Sequence, residues 1–233
     1  MTLANRVRPI LKNTTFLGEL PDQVLDALIR KGHLKTYSQG QIIYRRGEPG
    51  ESMMLILVGR IKITNTNAAG REVALNFLGA GDLNGEIAVL DGRERTANAV
   101  AVEQTESFVI YGRDLLPVLH NHPEALLEII GTLCEKLRAA SAMIEDNTLE
   151  MRSRAAKGLL RLARQLGRTS KQGIRLDLNV SQTELGHYLN LSRANVSRQL
   201  SYLRDASVIK LDGTNILILD EQELAEIAGA PAE

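Results

Sequence analysis

Apolar residues between Pro123 and Met151 recur at alternating steps of four and three: Leu126, Ile130, Leu133, Leu137, Ala140 and Ile144, with Asn147 and Met151 continuing the series. A 3.5-residue period held over successive heptads, with no Gly or Pro after Gly131, predicts one long helix with a coiled-coil seam. Its length would be about 28 residues, or ~42 Å, more than a small domain buries within itself. The seam therefore predicts a parallel homodimer through residues 126–151, in which Asn147 fixes register and small Ala140 allows close approach. A helix packed on its own domain needs a similar stripe, but the strict period favours the dimer.

On either side the pattern changes. Residues 5–31 read as short helices, with a start signal at Leu20-Pro21-Asp22 and helical spacing of Val24, Leu25, Leu28 and Ile29. From 34 to 111, β-prone runs at 41–44, 52–58, 60–64, 72–78, 99–101 and 106–111 are punctuated by glycines, among them Gly47, Gly59, Gly70 and Gly81. Short strands between glycine turns predict a sandwich or barrel. Beyond the seam, 153–165 is amphipathic and stops at Gly167. Asn179-Val180-Ser181 then opens a helix, with Ser181 and Glu184 forming a capping box. Asn190 sits where a left-handed turn residue is needed, and Ser192 caps a second helix over 193–203. Two short helices around a tight turn predict a helix-turn-helix with Val196, Leu200 and Leu203 facing inward. Asp212-Gly213 between β-prone runs adds a hairpin, which makes the motif winged. The acidic end, from Asp220, is expected to point away from DNA.

Charge sharpens this picture. The 28 basic and 28 acidic residues of the 233-residue chain cancel. Yet residues 150–210 hold 12 Lys or Arg against 4 Asp or Glu, and residues 211–233 hold 6 acidic residues and no basic one. A block of net +8 is the footprint expected of a nucleic-acid-binding unit. Arg152, Arg154, Lys157, Arg161, Arg164 and Arg168 could equally form a solvated basic helix face. Arg193 and Arg198 are the leading base readers, because a guanidinium can bond guanine O6 and N7 together. Gln182 and Ser192 suit phosphate contacts, and Asn195 and Ser197 complete the candidate DNA-facing set. Cys134 is the single cysteine, so an intramolecular disulfide is excluded and a cysteine-ligated metal is not expected. No apolar run reaches the ~20 residues of a membrane span, and the start lacks a signal-peptide core, so a cytoplasmic protein with no membrane partner is expected. No nucleophile, base and orienting group assemble, so no enzyme activity is expected.

A second chemistry lies in the strand-rich part. Over residues 85–97, one carboxylate, Glu86, precedes the pair Arg95-Thr96 by nine residues. A carboxylate accepts a ribose hydroxyl proton, and an arginine beside a hydroxyl and free amides binds phosphate. Together the two describe a sugar-phosphate ligand. Gly81-Asp82-Leu83-Asn84-Gly85-Glu86 followed by Arg95-Thr96-Ala97 resembles the phosphate-binding cassette of cyclic-nucleotide-binding domains. Leu191-Ser192-Arg193-Ala194-Asn195-Val196-Ser197-Arg198 resembles the recognition helix of the cyclic-AMP receptor protein/fumarate-nitrate regulator (CRP/FNR) superfamily. The order of parts matches over about residues 15–220.

The resemblance implies an α+β fold: an N-terminal cyclic-nucleotide-binding β-roll, jelly-roll-like, over 1–122; a long dimerisation and linker helix over 123–150; and a C-terminal winged helix-turn-helix over 151–233. It implies a dimeric transcription regulator gated by cyclic AMP, with cyclic GMP the alternative ligand and no metal or haem. Glu86 would take the ribose hydroxyl. Arg95 and Thr96, with the Gly85 region amide, would take the cyclic phosphate, and Ile87 and Ala88 complete the candidate ligand-binding set. The base would lie toward Ala139, Ala140 and Ser141, with Leu75 and Leu78 lining the pocket. Partners would be a pseudo-palindromic operator in double-stranded DNA, a second copy of the chain, and RNA polymerase.

Three departures bear on these expectations. The stretch that reads adenine in the receptor protein is Arg138-Ala139-Ala140-Ser141 here, with at most one hydroxyl in place. Ala194 stands where the receptor protein carries a glutamate between its reading arginines, so the half-site should differ. The N-terminal cysteine cluster of the oxygen-sensing branch is missing. A haem site built from His33, His120, His122 and Cys134 would leave the Glu86/Arg95 cassette superfluous. A regulator that binds DNA without a cyclic nucleotide, or answers another signal, is the competing reading.

Overall fold

The computed structural model describes residues 3–13, 17–66, 72–178 and 180–229. Gly70 and Asn179, used above, lie outside them. The chain forms two compact units, one from residues 1–65 and 77–140, the other from 66–76 and 141–233.

The first unit begins with α1 (Leu3–Asn13) and α2 (Asp22–Lys31). Strands β1 (His33–Tyr37), β2 (Ile42–Tyr44), β3 (Ser52–Val58), β4 (Ile61–Thr66), β5 (Glu72–Leu78) and β6 (Leu83–Asn84) follow. Then come α3 (Glu86–Asp91), β7 (Asn98–Ala101), β8 (Thr105–Tyr111), α4 (Gly112–Asn121) and α5 (Pro123–Asp146). Two four-stranded sheets run β1-β8-β3-β6 and β2-β7-β4-β5. The central β3/β8 pair is antiparallel, in a register that sets Met54 opposite Val109 and Leu55 opposite Phe108. Met53, Leu55, Phe108 and Ile110 pack with Leu11, Leu25, Leu28, Leu115 and Leu119 into one core, which Ala125 and Ile129 of α5 help to close. A smaller core gathers Ile56, Ile61, Leu78 and Ala99. Leu78, expected to line the pocket, is a buried member of this core. The expected strands all form, and β1 and β6 add to them. β1 could not be read from its own residues, because its burial has no period of two; its long antiparallel pairing with β8 determines it.

Helix α5 differs from its expectation in length and in face. It spans 24 residues and ends at Asp146, about 36 Å at 1.5 Å per residue. The amides of Asn147, Thr148 and Leu149 turn back onto the carbonyls of Ile144, Glu145 and Asp146, and a new helix starts at Met151. Asn147 therefore lies in a turn and not in a helical seam. Leu126 and Leu133, two expected seam residues, pack against the β-roll core. The exposed apolar line is Leu127, Ile130, Leu137 and Ile144, each 55–70% accessible. Exposed Cys134 and Ser141 fall at the intervening steps. This line shares Ile130, Leu137 and Ile144 with the expected seam, replaces Leu126 by Leu127, and keeps the same 3-4 alternation.

The second unit holds α6 (Met151–Leu166), β9 (Arg168–Ser170), β10 (Gly173–Leu176), α7 (Gln182–Leu189), α8 (Arg193–Asp205), β11 (Ile209–Asp212), β12 (Asn215–Ile218) and α9 (Glu221–Ala228). The expected hairpin forms, with Asp212 opposite Asn215 across Gly213 and Thr214. It belongs to a four-stranded sheet, β11-β12-β10-β9. The acidic end is not a free tail: Asp220 caps α9, and Leu224 and Ala228 are buried as α9 packs along α6.

Candidate functional site

The cassette is organised by a backbone requirement. Gly85, at φ +86°, turns the chain from β6 into α3; a Cβ there would lie 2.5 Å from Arg95 Nη1. Glycine is needed both for the left-handed conformation and for the close approach. The turn delivers Glu86 into a nearly closed position, 5% exposed. Lys136 of α5 donates to Glu86 Oε1 at 2.6 Å.

Arg95 is also buried, and the chain itself occupies its guanidinium. Nη1 donates to the Gly85 carbonyl at 3.0 Å and Nη2 to the Ser52 carbonyl at 2.7 Å. The group lies over the Tyr44 ring at 4.3 Å, a cation–π contact. Burial pulls the Arg95 pKa down, and Tyr44, Glu48 and Glu86 work against that shift. Tyr44 donates to Asn84 Oδ1 at 2.9 Å. Burial pushes its phenol up to about 12, so it remains a donor at neutral pH. Arg95 Nε and Asn84 Nδ2 are buried without a hydrogen-bond partner. Buried unpaired donors are costly, so the cassette retains an unmet demand for acceptors. Arg95 and Thr96 line an open pocket of about 580 Å³ together with Arg46, Asp91, Arg93 and Glu94.

Among the expected ligand residues, the structure brings together Gly85, Glu86 and Arg95. Thr96 is exposed next to Arg95, Ala88 is buried in α3, and Ile87 is exposed on that helix. Leu75 and Ser141 are exposed residues assigned to the other unit. Sequence reasoning missed Lys136, Tyr44, Ser52 and Asn84. Lys136 meets Glu86, Ser52 and Tyr44 meet Arg95, and Asn84 meets Tyr44; each contact joins residues 40 or more positions apart, and no local pattern marks them. Of the histidines weighed as haem ligands, His120 bonds the Leu116 carbonyl, His122 meets Glu124, and His33 stacks on Tyr111.

The helix-turn-helix is built from short-range contacts. The Ser181 side chain accepts from the Glu184 amide, and the Glu184 side chain returns to Ser181. Asn190 adopts φ +51° between the helices, and the Ser192 hydroxyl caps the Asn195 amide. Val196, Leu200 and Leu203 are buried, as is Gln199. Gln182, Ser192, Arg193, Ser197 and Arg198 are exposed, and Asn195 is half-buried with its Oδ1 3.4 Å from Arg198 Nη1. One exposed aromatic was not anticipated: Tyr202, on α8, carries the Arg152 guanidinium 3.8 Å from its ring centre.

The basic block divides once contacts are counted. Lys157 and Arg161 both pair with buried Asp146, at 2.8 and 2.5 Å. Arg154 is held by backbone carbonyls, Arg175 pairs with Asp177 and Arg204 with Asp205. Arg164, Arg168, Lys171, Arg193 and Arg198 remain exposed. Part of the +8 is thus structural, and the rest is available to a polyanion.

Comparison with known proteins finds two matching family models. The model of the cyclic nucleotide-binding domain matches residues 34–122, and that of the Crp-like helix-turn-helix domain matches residues 153–227. The cyclic AMP receptor protein of Thermus thermophilus is 31% identical over 214 residues, covering 91% of this chain and 95% of the relative. A CRP-like cAMP-activated global transcriptional regulator of Mycobacterium tuberculosis is 27% identical over the same shares of both chains. The solved structure of FixK2 from Bradyrhizobium japonicum shares the fold, with a TM-score of 0.78 at 22% identity, covering 86% of this chain and 99% of that one. Among the described residues, no helix is long and apolar enough to cross a membrane.

Proposed function

The chain belongs to the CRP/FNR family of transcription regulators, and from that premise we propose that it works as a homodimer whose β-roll takes a cyclic nucleotide, cyclic AMP ahead of cyclic GMP, to control operator binding. The observation that carries the ligand reading is the buried cassette in which Gly85 sets Glu86 and Arg95 on one turn. Glu86 would accept the ribose hydroxyl, and Arg95 with Thr96 would hold the cyclic phosphate. Two relatives of comparable length carry cyclic AMP in their names.

The exposed line Leu127, Ile130, Leu137 and Ile144 supports pairing of two α5 helices. Burying such side chains is worth roughly 1.5–3 kcal/mol each, and an unpaired stripe of this kind would be an association liability. In the dimer the two α8 helices would enter successive major grooves about 34 Å apart. Arg193 and Arg198 would read base edges, while Gln182 and Ser192 would hold phosphates. RNA polymerase is the further partner this reading implies. The ligand acts only through a different affinity for two arrangements of the dimer.

A second reading has its own support. Lys136 already satisfies Glu86, and Arg95 already bonds two carbonyls. A cassette whose charges are neutralised internally suits a regulator that answers another signal or none. Calorimetric titration of nucleotide-stripped protein with cyclic AMP, and with cyclic GMP beside it, separates the readings. Saturable binding near one nucleotide per chain is the expected result. Absence of heat with both nucleotides would select the second reading and leave the DNA-binding assignment in place.

A further inference from the structure

Outside the cassette, a polar cluster joins the end of α5 to the turn of the helix-turn-helix. Its base is Asp146, 3% exposed at the last position of α5, which faces Lys157 and Arg161 one helical turn apart on α6. Above it sits Arg154. Its Nη2 donates to the carbonyls of Asn147 at 3.0 Å and Leu149 at 2.9 Å, in the turn that leaves α5. Its Nη1 donates to the carbonyl of Asn190 at 3.1 Å, in the turn between α7 and α8. Asn190 Nδ2 then donates to Asn147 Oδ1 at 2.8 Å. Close packing brings the two turns within reach: a Cβ on Gly158 of α6 would fall 2.0 Å from Leu189 Cδ2, at the end of α7.

We propose that Arg154 is a positioning residue for the recognition helix, one guanidinium that fixes the turn at Asn190 to the turn at residues 147–149. This rests on the reading of α8 as the DNA-reading helix. Two otherwise unremarkable residues then acquire reasons. Asn190 is asparagine and not glycine at a left-handed position because its side-chain amide reaches Asn147. Arg154 is arginine and not lysine because a planar fork can serve three carbonyls at once, whereas an ammonium is a point donor. Ser192, two residues beyond Asn190, caps α8, so the clamp ends at the first turn of the helix that carries Arg193 and Arg198. The turn at 147–149, α6 and the turn that leads into α8 then move as one body.

The test uses the full chain with Arg154→Lys, which keeps the charge but loses the fork, and Asn147→Ala, which removes one exposed side chain. Operator DNA is a duplex selected from a random library by the wild-type protein, and random duplex is the comparator. The expected result for Arg154→Lys is a loss of about tenfold in operator over random preference, with random-duplex affinity unchanged because the charge is conserved. Amide exchange at Thr148, Leu149 and Leu191 should rise together. Asn147→Ala should show the same changes more weakly, and it decides the matter if Arg154→Lys does not fold. Unchanged preference, with or without faster exchange, would overturn the positioning role. If the wild-type protein selects no duplex, the DNA-reading assignment fails instead, and coupled exchange at the two turns still decides whether the clamp exists.

Discussion

Arginine does opposite work in the two candidate sites of this chain. In the β-roll, Arg95 is buried, stacked on Tyr44 and bonded to two carbonyls, while nearby Glu86 is neutralised by Lys136. On α8, Arg193 and Arg198 stand in solvent, with only a long contact from Arg198 to Asn195. A buried charge must be satisfied by the protein before any ligand arrives, because leaving it unpaired costs several kcal/mol. An exposed charge waits for a partner at little cost to the fold. On the proposed reading, the cassette couples ligand recognition to the integrity of the β-roll, whereas the recognition helix keeps DNA recognition separate from stability.

Substitutions can break this contrast. The largest effect is expected at Arg95→Ala. It should abolish cyclic-nucleotide binding in calorimetry, and should also lower stability by about 1–3 kcal/mol in denaturant unfolding, because the carbonyls of Gly85 and Ser52 lose their donor. Undiminished nucleotide binding would remove Arg95 from the site. Next in size, Arg198→Ala should cost about 1–3 kcal/mol of operator binding, with much smaller loss on random duplex, while its unfolding midpoint stays within about 0.5 kcal/mol of wild type. Equal losses on both DNAs would reduce Arg198 to a phosphate contact. Smallest is Lys136→Ala, expected to destabilise the β-roll by about 1 kcal/mol, discounted because the lysine is partly exposed. A stability unchanged by that substitution would show that the contact with Glu86 is incidental and that the cassette charges are less engaged than the contrast requires.

How far each region could be read from the residues follows from the range of its contacts. The capping box at Ser181 and Glu184, the left-handed turn at Asn190 and the cap at Ser192 act within three or four positions, and each stands where the sequence placed it. The cassette was half legible. Glu86 and Arg95 share a short segment and a resemblance, but Lys136, 50 residues from Glu86, carries no signal along the chain. Charge was the least reliable guide. Arg154, Lys157 and Arg161 counted toward a nucleic-acid footprint, yet they hold the second unit together. The heptad reading recognised an apolar period on α5 but selected a line that mixes inward and outward positions. Leu126 and Leu133 belong to the core, whereas Leu127 takes the outer face.

The helix-turn-helix with its wing and six strands of the β-roll were legible along the chain, because caps, turns and periodicity are written in neighbouring residues, whereas β1, β6, β9, β10, α4 and α9 were not. Only the tertiary structure decided which face of α5 is left for a partner, where that helix stops, and which arginines are available to a ligand or to DNA. Those outcomes depend on side chains brought together from distant parts of the chain. Burial then gives each charge its role, since a guanidinium enclosed by carbonyls and one open to water are the same residue in the sequence and different chemistry in the fold.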